Sequence, residues 1–283
     1  MIEAGAPIAV VAPCGAYHVE RFEQGLQIAR EHGLNPVPLP GILQPWRTFA
    51  GTDSHRLDQL VEALCSEDFA ATWIARGGYG VTRILDQIPW DQVAPRPVIG
   101  FSDVTALFCG LQRNQMGIAV HGPVVHSLPI SDEASIRALV EVLHGGSTGF
   151  TGTSWVGGRA TGPLVGGNLC LLAATAGTPD QLDARGSILV LEEVGEPAYR
   201  VDRMLQQLHS AGIFDGVRAV VLGEFVSCRV PEGADWSLDE MLLDHLRPLG
   251  VPVLAHAPIG HGSANHAFVW GSEATVDGDQ LHP

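Results

Sequence analysis

PVIGFSDVTALFCGLQ, at residues 97–112, contains the pattern from which the fold class can be predicted: a short apolar run, a sharp break and a helix-forming run. Residues 97–101 predict a buried β-strand, and the apolar spacing of residues 103–112 predicts a helix that begins directly after Ser102. In the parallel sheets of α/β proteins, strands pass into helices that cover the sheet. This junction therefore predicts an α/β fold built on a parallel sheet.

The residues upstream repeat the alternation of strand and helix. Apolar runs at residues 8–12 and 70–75 predict two further buried strands. Helices are predicted over residues 19–31 and from a cap at Asp53 or Ser54. Three strands with helices between them predict a sheet covered on both faces.

The chain changes character after a predicted helix at residues 134–144. Residues 146–162 are rich in Gly, Ser and Thr, which predicts a linker. We therefore expect an N-terminal α/β domain at 1–145 and a smaller, mixed, β-rich C-terminal domain at 163–283. Within the second domain the sequence predicts helices at 168–176 and 200–211 and strands at 187–191 and 219–225.

Charge and composition exclude several classes of partner. The 283 residues include 31 acidic and 16 basic side chains, for a net charge of −15. No basic stripe is present to bind nucleic acid or an anionic membrane surface. The five scattered cysteines form no C-x-x-C pair, and the first residues lack a basic secretory signal. These features predict a cytoplasmic protein without nucleic-acid or membrane partners.

Ser102 is the first candidate for chemistry. A serine at a sharp strand-to-helix turn can project its hydroxyl above the sheet, while the helix N-terminus offers free N–H groups to an oxyanion. The match to G-x-S-x-G is half complete, because Val104 stands in place of the second glycine. Ser102 or Asp103 could equally be an ordinary N-cap. The junction by itself leaves both interpretations open.

A glycine-rich segment at residues 76–80, Arg-Gly-Gly-Tyr-Gly, follows another predicted strand. Consecutive glycines permit positive φ and let backbone N–H groups approach a ligand, so this segment could supply a second oxyanion donor. A nucleotide site is disfavoured, because neither G-x-G-x-x-G nor a following Gly-Lys-Ser/Thr is present. An ordinary turn is the remaining interpretation. We expect a helix to follow through Val81, Ile84 and Leu85.

Carboxylates are concentrated at the end of the strand predicted at 187–191. Glu192, Glu193 and Glu196 could provide a glycosidase pair, orient a histidine, or form a solvated acidic loop. Arg200 and Arg203 follow closely. These arginines could neutralise the acidic residues or bind a substrate carboxylate in a bidentate manner.

His261 stands between two glycines, which is unusual for a histidine that fills a core. His256 and His266 lie nearby, but a spacing of five suits neither one helical face nor one strand face. No Cys or carboxylate pattern completes a zinc site, so we predict a general base in a flexible loop and no metal.

Taken together, the sequence resembles the LD-carboxypeptidases, the muramoyltetrapeptide carboxypeptidase family of serine peptidases, across nearly the whole chain. The motifs that carry the resemblance occur in order and are well separated. They are Val-Ala-Pro (11–13), Gly-Thr-Asp (51–53) with Arg56, Ala-Arg-Gly-Gly-Tyr-Gly (75–80), Gly-Phe-Ser-Asp (100–103), His-Gly-Pro (121–123), Gly-Gly-Asn-Leu (166–169), Gly-Thr-Pro (177–179), Leu-Glu-Glu-Val-Gly-Glu (191–196), Tyr-Arg-Val-Asp-Arg (199–203), and Gly-His (260–261) with Asn265.

The resemblance implies a role for several of these residues. Ser102 would be the nucleophile, His261 the general base and Glu192 the acid that orients it. The backbone N–H groups of Gly78 and Asp103 would form the oxyanion hole. The reaction implied is the removal of the terminal D-Ala from a murein tetrapeptide, at an L,D-peptide bond.

The resemblance also implies a homodimer that needs neither cofactor nor metal. Glu193 remains an alternative to Glu192 as the acid. Arg76, Arg200 and Arg203 are the candidate cations for the terminal carboxylate of the peptide, and Tyr79 is a further substrate-binding candidate.

Three alternative functions remain open from the sequence. The first is a related immunity-type serine peptidase that cleaves a peptidyl-nucleotide antibiotic. The second is an α/β-hydrolase esterase, which the missing second elbow glycine and the absent His-Gly-Gly-Gly run disfavour. The third is a non-catalytic muropeptide binder in which Ser102 only caps a helix.

Overall fold

The computed structural model describes all residues from 1 to 283. The chain divides into two units, and each consists of one long segment and one shorter segment near the C-terminus. The first unit comprises Met1–Ser147 with His266–Val269, and the second comprises Thr148–Asn265 with Trp270–Pro283.

Six strands form the sheet of the first unit. They are β1 (Pro7–Val11), β2 (Asn35–Pro38), β3 (Ala71–Ile74), β4 (Pro97–Gly100), β5 (Ile118–His121) and β12 (Phe268–Val269). Their order in the sheet is β12-β5-β4-β3-β1-β2, and all pairs are parallel except the pair of β12 with β5. Every residue of β3 and β4 is buried, as expected for central strands of a sheet covered on both faces.

Four helices belong to the first unit: α1 (Val19–Glu31), α2 (Asp53–Cys65), α3 (Val104–Asn114) and α4 (Glu133–Leu143). The side chains of Thr52 and Asp132 cap α2 and α4 by accepting a backbone N–H three residues on. Where the sequence predicts a helix through Val81, Ile84 and Leu85, the chain forms two short 3₁₀ turns instead. The prediction of a helix is wrong because two separate turns bury the same apolar side chains that a helix would bury.

Eight strands form the sheet of the second unit. They are β6 (Phe150–Thr151), β7 (Thr153–Val156), β8 (Arg159–Asn168), β9 (Ile188–Val194), β10 (Ala219–Val226), β11 (Val253–Ala255), β13 (Glu273–Asp277) and β14 (Gln280–His282). Their order is β6-β14-β13-β8-β9-β10-β11-β7. The strands from β8 to β11 are parallel, and the pairs on either side are antiparallel.

Three helices complete the second unit: α5 (Leu169–Thr175), α6 (Ala198–Ser210) and α7 (Leu238–Leu246). The predicted α/β fold, with a parallel-sheet N-terminal part and a mixed, β-rich C-terminal part, is confirmed. Residues 146–162, for which the sequence predicts a linker, form β6, β7 and the start of β8. None of the helices is both long enough and apolar enough to span a membrane.

Candidate active site

The carboxyl ends of β1, β3 and β4 carry the loops in which the sequence predicts chemistry. Because β1 lies between β2 and β3, the strand order reverses at this point, and open α/β sheets bind ligands in the crevice outside such a reversal. The loops after β1 and β3 are in contact, since the Gly15 N–H donates to the Gly77 carbonyl at 3.2 Å. Ser102 follows β4, the neighbouring strand. The sheet thus brings the predicted nucleophile to its ligand-binding edge.

Ser102 has a strained backbone. Its φ is +66°, a left-handed conformation that serine rarely adopts, at a cost of about 1–3 kcal/mol. A Cβ built on Gly77 would lie 2.9 Å from the Ser102 Cβ and 3.1 Å from its Oγ. Only a glycine therefore lets this loop approach the serine so closely. Strain and close approach at a half-buried hydroxyl are typical of a nucleophile held on a strand-to-helix turn.

Two backbone N–H groups lie beside this turn without a backbone acceptor. Neither Gly78 nor Asp103 donates among the backbone hydrogen bonds outside helices and strands. Gly78 is exposed and has a φ of +111°, and Asp103 occupies the N-cap position of α3. Unpaired N–H groups at a helix N-terminus are suited to an oxyanion. The donors named in the sequence analysis are therefore available for that role.

The Asp103 side chain points into the unit rather than towards a ligand. The residue is fully buried, and its Oδ2 accepts the Val81 N–H at 2.9 Å. Burial raises the pKa of this carboxyl to about 6, against the opposing effects of the Val81 hydrogen bond, Cys14 and Arg56. The Asp103 side chain is thus occupied by a contact within the first unit.

In the second unit, His261 and Glu192 form a close hydrogen-bonded pair. The imidazole Nδ1 lies 2.6 Å from Glu192 Oε2, so that an Nδ1–H donates to the carboxylate. Glu192 lies within β9 and is fully buried. A Cβ on Gly260 would lie 3.2 Å from the same oxygen. The glycine before the histidine thus allows the loop to close on the carboxylate.

The electrostatic environment favours a protonated His261. Burial lowers the pKa of the imidazole, but the charge and hydrogen bond of Glu192, with a further contribution from Glu193, raise it by more. The net result is a pKa above the ordinary value of 6.5. A histidine in this environment can accept a proton and hold it while the carboxylate stabilises the imidazolium.

Glu193 has a different set of partners from its neighbour. Its two oxygens accept the Asn168 side-chain amide at 3.1 Å, the Cys170 N–H at 2.7 Å and the Val194 N–H at 2.8 Å. Successive side chains of a strand point to opposite faces, which separates Glu193 from Glu192. Burial raises the pKa of Glu193. This carboxylate therefore fastens the start of α5 to β9, and the imidazole is bonded to Glu192.

Sequence reasoning missed one carboxylate near the histidine. A Cβ on Gly262 would overlap the carboxylate of Glu224, with the nearer oxygen only 1.7 Å away. Glu224 lies in β10, and its N–H donates to the Ile259 carbonyl at 2.7 Å. The available signal was an acidic residue near the end of the strand predicted at 219–225.

Of the substrate-binding candidates, two lie on the glycine-rich loop of the first unit. The guanidinium of half-buried Arg76 donates to the Ala16 carbonyl and forms no ion pair with a carboxylate. Tyr79 is 54% exposed, and its ring lies 5.6 Å from that of Phe49. Both residues belong to the loop whose Gly77 lies against Ser102.

The other two candidates lie on α6 of the second unit. Arg200 forms an ion pair with Glu196 at 2.9 Å, and the Arg203 guanidinium lies 5.5 Å from the centre of the Tyr199 ring. Arg200 is thus paired with a carboxylate of its own chain, whereas Arg76 is not.

The three histidines near the C-terminus have separate surroundings. His261 binds Glu192, His256 lies 3.3 Å from Asp239, and His266 belongs to the first unit. No group of three or more His, Cys, Asp and Glu side chains has an arrangement that could hold a metal ion.

Both parts of the chain match known domains. Residues 8–122 match the LD-carboxypeptidase N-terminal domain, and residues 161–276 match the LD-carboxypeptidase C-terminal domain. The murein tetrapeptide carboxypeptidase of Pseudomonas aeruginosa is 36% identical over 290 residues, covering 97% of this chain and 94% of the relative.

Solved structures and a more distant relative agree with these matches. The crystal structure of a muramoyltetrapeptide carboxypeptidase from Oxalobacter formigenes superimposes with a TM-score of 0.87 at 26% identity, covering 97% of each chain. The microcin C7 self-immunity protein of Escherichia coli is 24% identical over 311 residues, covering 95% of this chain and 88% of the relative.

Proposed function

Because this chain belongs to the LD-carboxypeptidase family, we propose that it is a serine carboxypeptidase that removes the terminal D-Ala from murein tetrapeptides. The observation that carries the proposal is the 2.6 Å hydrogen bond between His261 and the buried Glu192. An imidazole so paired is the base that a serine nucleophile requires. The strained Ser102 of the other sheet supplies that nucleophile.

The proposed reaction follows from these groups. The Ser102 Oγ attacks the carbonyl carbon of the L,D-peptide bond while His261 Nε2 removes the hydroxyl proton. The N–H groups of Gly78 and Asp103 stabilise the oxyanion of the tetrahedral intermediate. The C–N bond then breaks, and D-Ala leaves with the proton from the imidazolium that Glu192 has stabilised. Water, deprotonated by His261, hydrolyses the acyl-enzyme and regenerates Ser102.

We further propose that Arg76 binds the terminal carboxylate of the peptide. An exopeptidase must recognise this group, and a planar guanidinium can bind it with two parallel hydrogen bonds. Arg76 lies directly before the loop that contacts Ser102 and has no carboxylate partner, whereas Arg200 is paired with Glu196. Tyr79, exposed on the same loop, is proposed to contact the peptide beside it.

The proposed function is tested by incubating the protein with a murein tetrapeptide and following the loss of one alanine by mass spectrometry. We expect release of D-Ala by the wild type, none by Ser102→Ala, and no effect of a chelator. Ser127→Ala, which removes a half-buried hydroxyl elsewhere in the first unit, is the matched control and should remain active. Full activity of Ser102→Ala, or inhibition by the chelator, would eliminate the serine mechanism.

A second candidate function comes from the similarity to the microcin C7 self-immunity protein. Such a protein would prefer an aminoacyl-nucleotide analogue, so its hydrolysis is measured beside that of the tetrapeptide. A higher kcat/KM for the nucleotide substrate would favour this function. Tetrapeptide binding in calorimetry without turnover would instead favour a non-catalytic muropeptide binder.

The proposed place of action is the cytoplasm, in the recycling of peptidoglycan, and the proposed assembly is a homodimer. Sedimentation or light scattering of the purified protein tests the assembly. A mass near 60 kDa, twice the chain mass of 30.0 kDa, is expected, and a monomer would refute it.

A further inference from the structure

Two charged side chains of the first unit are buried close to Ser102 without taking part in the proposed chemistry. Asp103 is fully buried, and Arg56 is 1% exposed. A charged group without solvent is costly unless its partners compensate for the lost hydration. The partners of these two side chains therefore indicate what the burial achieves.

The Arg56 guanidinium binds groups of the protein itself, including two backbone carbonyls. Its Nη1 donates to the carbonyls of Pro13 and Gly80, the latter at 2.9 Å, and its Nη2 contacts Asp53 at 2.5 Å. The Arg56 Nε is buried without a hydrogen-bond partner. A guanidinium in this position ties the loop after β1 to the far end of the glycine-rich loop after β3.

Asp103 holds the same glycine-rich loop one residue further on. Its Oδ2 accepts the Val81 N–H at 2.9 Å, and the Cys14 side chain is a further hydrogen-bond partner of the carboxyl group. Cys14 and Arg56 are the titratable and charged groups close to this carboxyl. A fully buried carboxylate is retained at a cost, so the loop N–H that it accepts indicates its role.

The loop between these attachments carries Gly78. At its start, Gly77 lies against Ser102, and the Gly77 carbonyl accepts the Gly15 N–H at 3.2 Å. At its end, Arg56 and Asp103 hold Gly80 and Val81. Gly78 and Gly80 have φ values of +111° and +144°, so the segment by itself has wide conformational freedom. Contacts at both ends remove that freedom.

We propose that the Asp103 carboxylate is a positioning residue for the oxyanion hole: through Val81 it sets the place of the Gly78 N–H relative to the N–H of Asp103 itself. The inference rests on the proposed function. Oxyanion donors act only when they lie about 2.7–3.1 Å from the developing charge. One residue thus supplies one donor through its backbone and fixes the loop that supplies the other through its side chain.

The principal test is Asp103→Asn, which preserves the backbone N–H and the size of the side chain. It replaces the charged acceptor of the Val81 N–H by a neutral amide, whose oxygen accepts a weaker hydrogen bond and whose NH2 group brings a donor into the buried site. We expect kcat to fall by about 10- to 100-fold with KM within about threefold, because a misplaced donor weakens transition-state stabilisation rather than substrate binding. Asp132→Asn is the matched control. Its carboxylate also accepts a backbone N–H, that of Ser135 at 2.8 Å, but caps α4. This control should retain the wild-type kcat.

A second readout is independent of the peptide substrate. In the reaction with an alkyl fluorophosphonate, the serine Oγ forms a bond to phosphorus, the P–F bond breaks and fluoride leaves, while the base takes the hydroxyl proton. The phosphoryl oxygen of the resulting tetrahedral adduct occupies the oxyanion hole. Asp103→Asn should slow the modification of Ser102 by a factor similar to its loss of kcat. Should Asp103→Asn fail to fold by circular dichroism, Arg56→Lys, which can reach one carbonyl but not both, should show the same losses to a smaller extent.

Two results would overturn the inference. One is a kcat and a modification rate within twofold of wild type for the folded variant. The other is an equal loss of kcat in Asp132→Asn at an equal drop in melting temperature, which would indicate a merely structural effect. A fully active Ser102→Ala would remove the proposed function itself, and with it this role of Asp103. If Ser102→Ala is inactive and Asp103→Asn keeps the wild-type kcat, the inference about Asp103 is refuted and the proposed function stands.

Discussion

Ser102 and His261 are each next to a segment that glycine alone permits. A side chain at position 77 would collide with Ser102, and one at position 260 would come within 3.2 Å of Glu192 Oε2. In each unit, the absence of a Cβ atom lets the backbone approach a polar side chain closely. At the scale of the residue, the candidate chemistry therefore depends on local geometry that one methyl group would disturb.

The pH dependence of Glu192→Gln tests the role of the buried acid. His261 must be neutral to accept a proton, so kcat/KM should rise with pH through the raised pKa of His261 in the wild-type protein. Removing the Glu192 charge lowers that pKa, so the acidic limb should move to lower pH. The plateau should fall by about 10²- to 10⁴-fold, because the imidazole loses its orienting partner.

The control for this profile is Glu196→Gln, which removes the same charge from a residue paired with Arg200. Its acidic limb should coincide with that of the wild type. An acidic limb that stays in place in Glu192→Gln would contradict the assignment of this acid.

Substitution of Arg76 tests carboxylate recognition. A charged hydrogen bond contributes about 1.5–3 kcal/mol, so Arg76→Ala should raise KM for the tetrapeptide by about 10- to 100-fold. Arg200→Ala, which removes an exposed guanidinium already paired with Glu196, should change KM less than threefold. Steady-state kinetics of the two variants gives the KM values for this comparison. A larger effect of Arg200→Ala would transfer carboxylate binding to α6.

At the scale of the element, β9 separates two adjacent carboxylates by its alternation. Glu192 meets the His261 imidazole, and Glu193 accepts N–H groups from Cys170 and Val194. The strand thereby combines a candidate catalytic group with a structural one that fastens α5. The 187–191 strand predicted from the sequence ended too early, since β9 continues to Val194. The carboxylates lie within the ladder rather than in a loop.

Glu193→Ala tests the structural half of this arrangement. Removing the acceptor leaves the half-buried Cys170 and the Val194 N–H groups without this partner, which costs about 1–3 kcal/mol of unfolding free energy. Urea denaturation measures the loss. Asp277→Ala, which breaks an exposed pair with Arg159, should cost less than about 1 kcal/mol. Equal losses in the two variants would argue against the fastening role.

At the scale of the whole molecule, the net charge of −15 opposes an anionic substrate. Repulsion between the protein and an anionic substrate slows their encounter when the Debye length is long, about 30 Å at 0.01 M salt. At 0.15 M salt the Debye length is about 8 Å, and the repulsion is largely screened. Local cations such as Arg76 act only at short range. The net charge of the protein should therefore affect the rate constant of substrate association more than the affinity for the substrate.

Salt should accelerate the proposed reaction. We expect kcat/KM for the tetrapeptide to rise by about two- to threefold between about 0.01 M and 0.15 M sodium chloride, because screening weakens the repulsion. Sucrose at matched osmolality controls for effects other than screening. A fall of kcat/KM with salt would mean that a local positive field, rather than the net charge, steers the substrate.

The fold class and the family could both be predicted from the amino-acid sequence, and both predictions are confirmed. The buried strands β1, β3 and β4, with continuous apolar runs, and α1, with its periodic apolar face, lie within one residue of their predicted bounds. The edge strands within residues 146–162 escaped prediction, because their Gly, Ser and Thr residues are exposed and lack an apolar pattern.

The carboxylate that binds His261 could not be identified before the three-dimensional structure was known. Glu192 and Glu193 are the same residue type at adjacent positions, and nothing local distinguishes them. The choice depends on which face of β9 the Gly260 loop packs against, some 70 residues further along the chain. The same holds for Asp103, whose carboxylate finds its partner on another loop. Local patterns report burial and periodicity, whereas long-range pairing is set by how strands and loops come together.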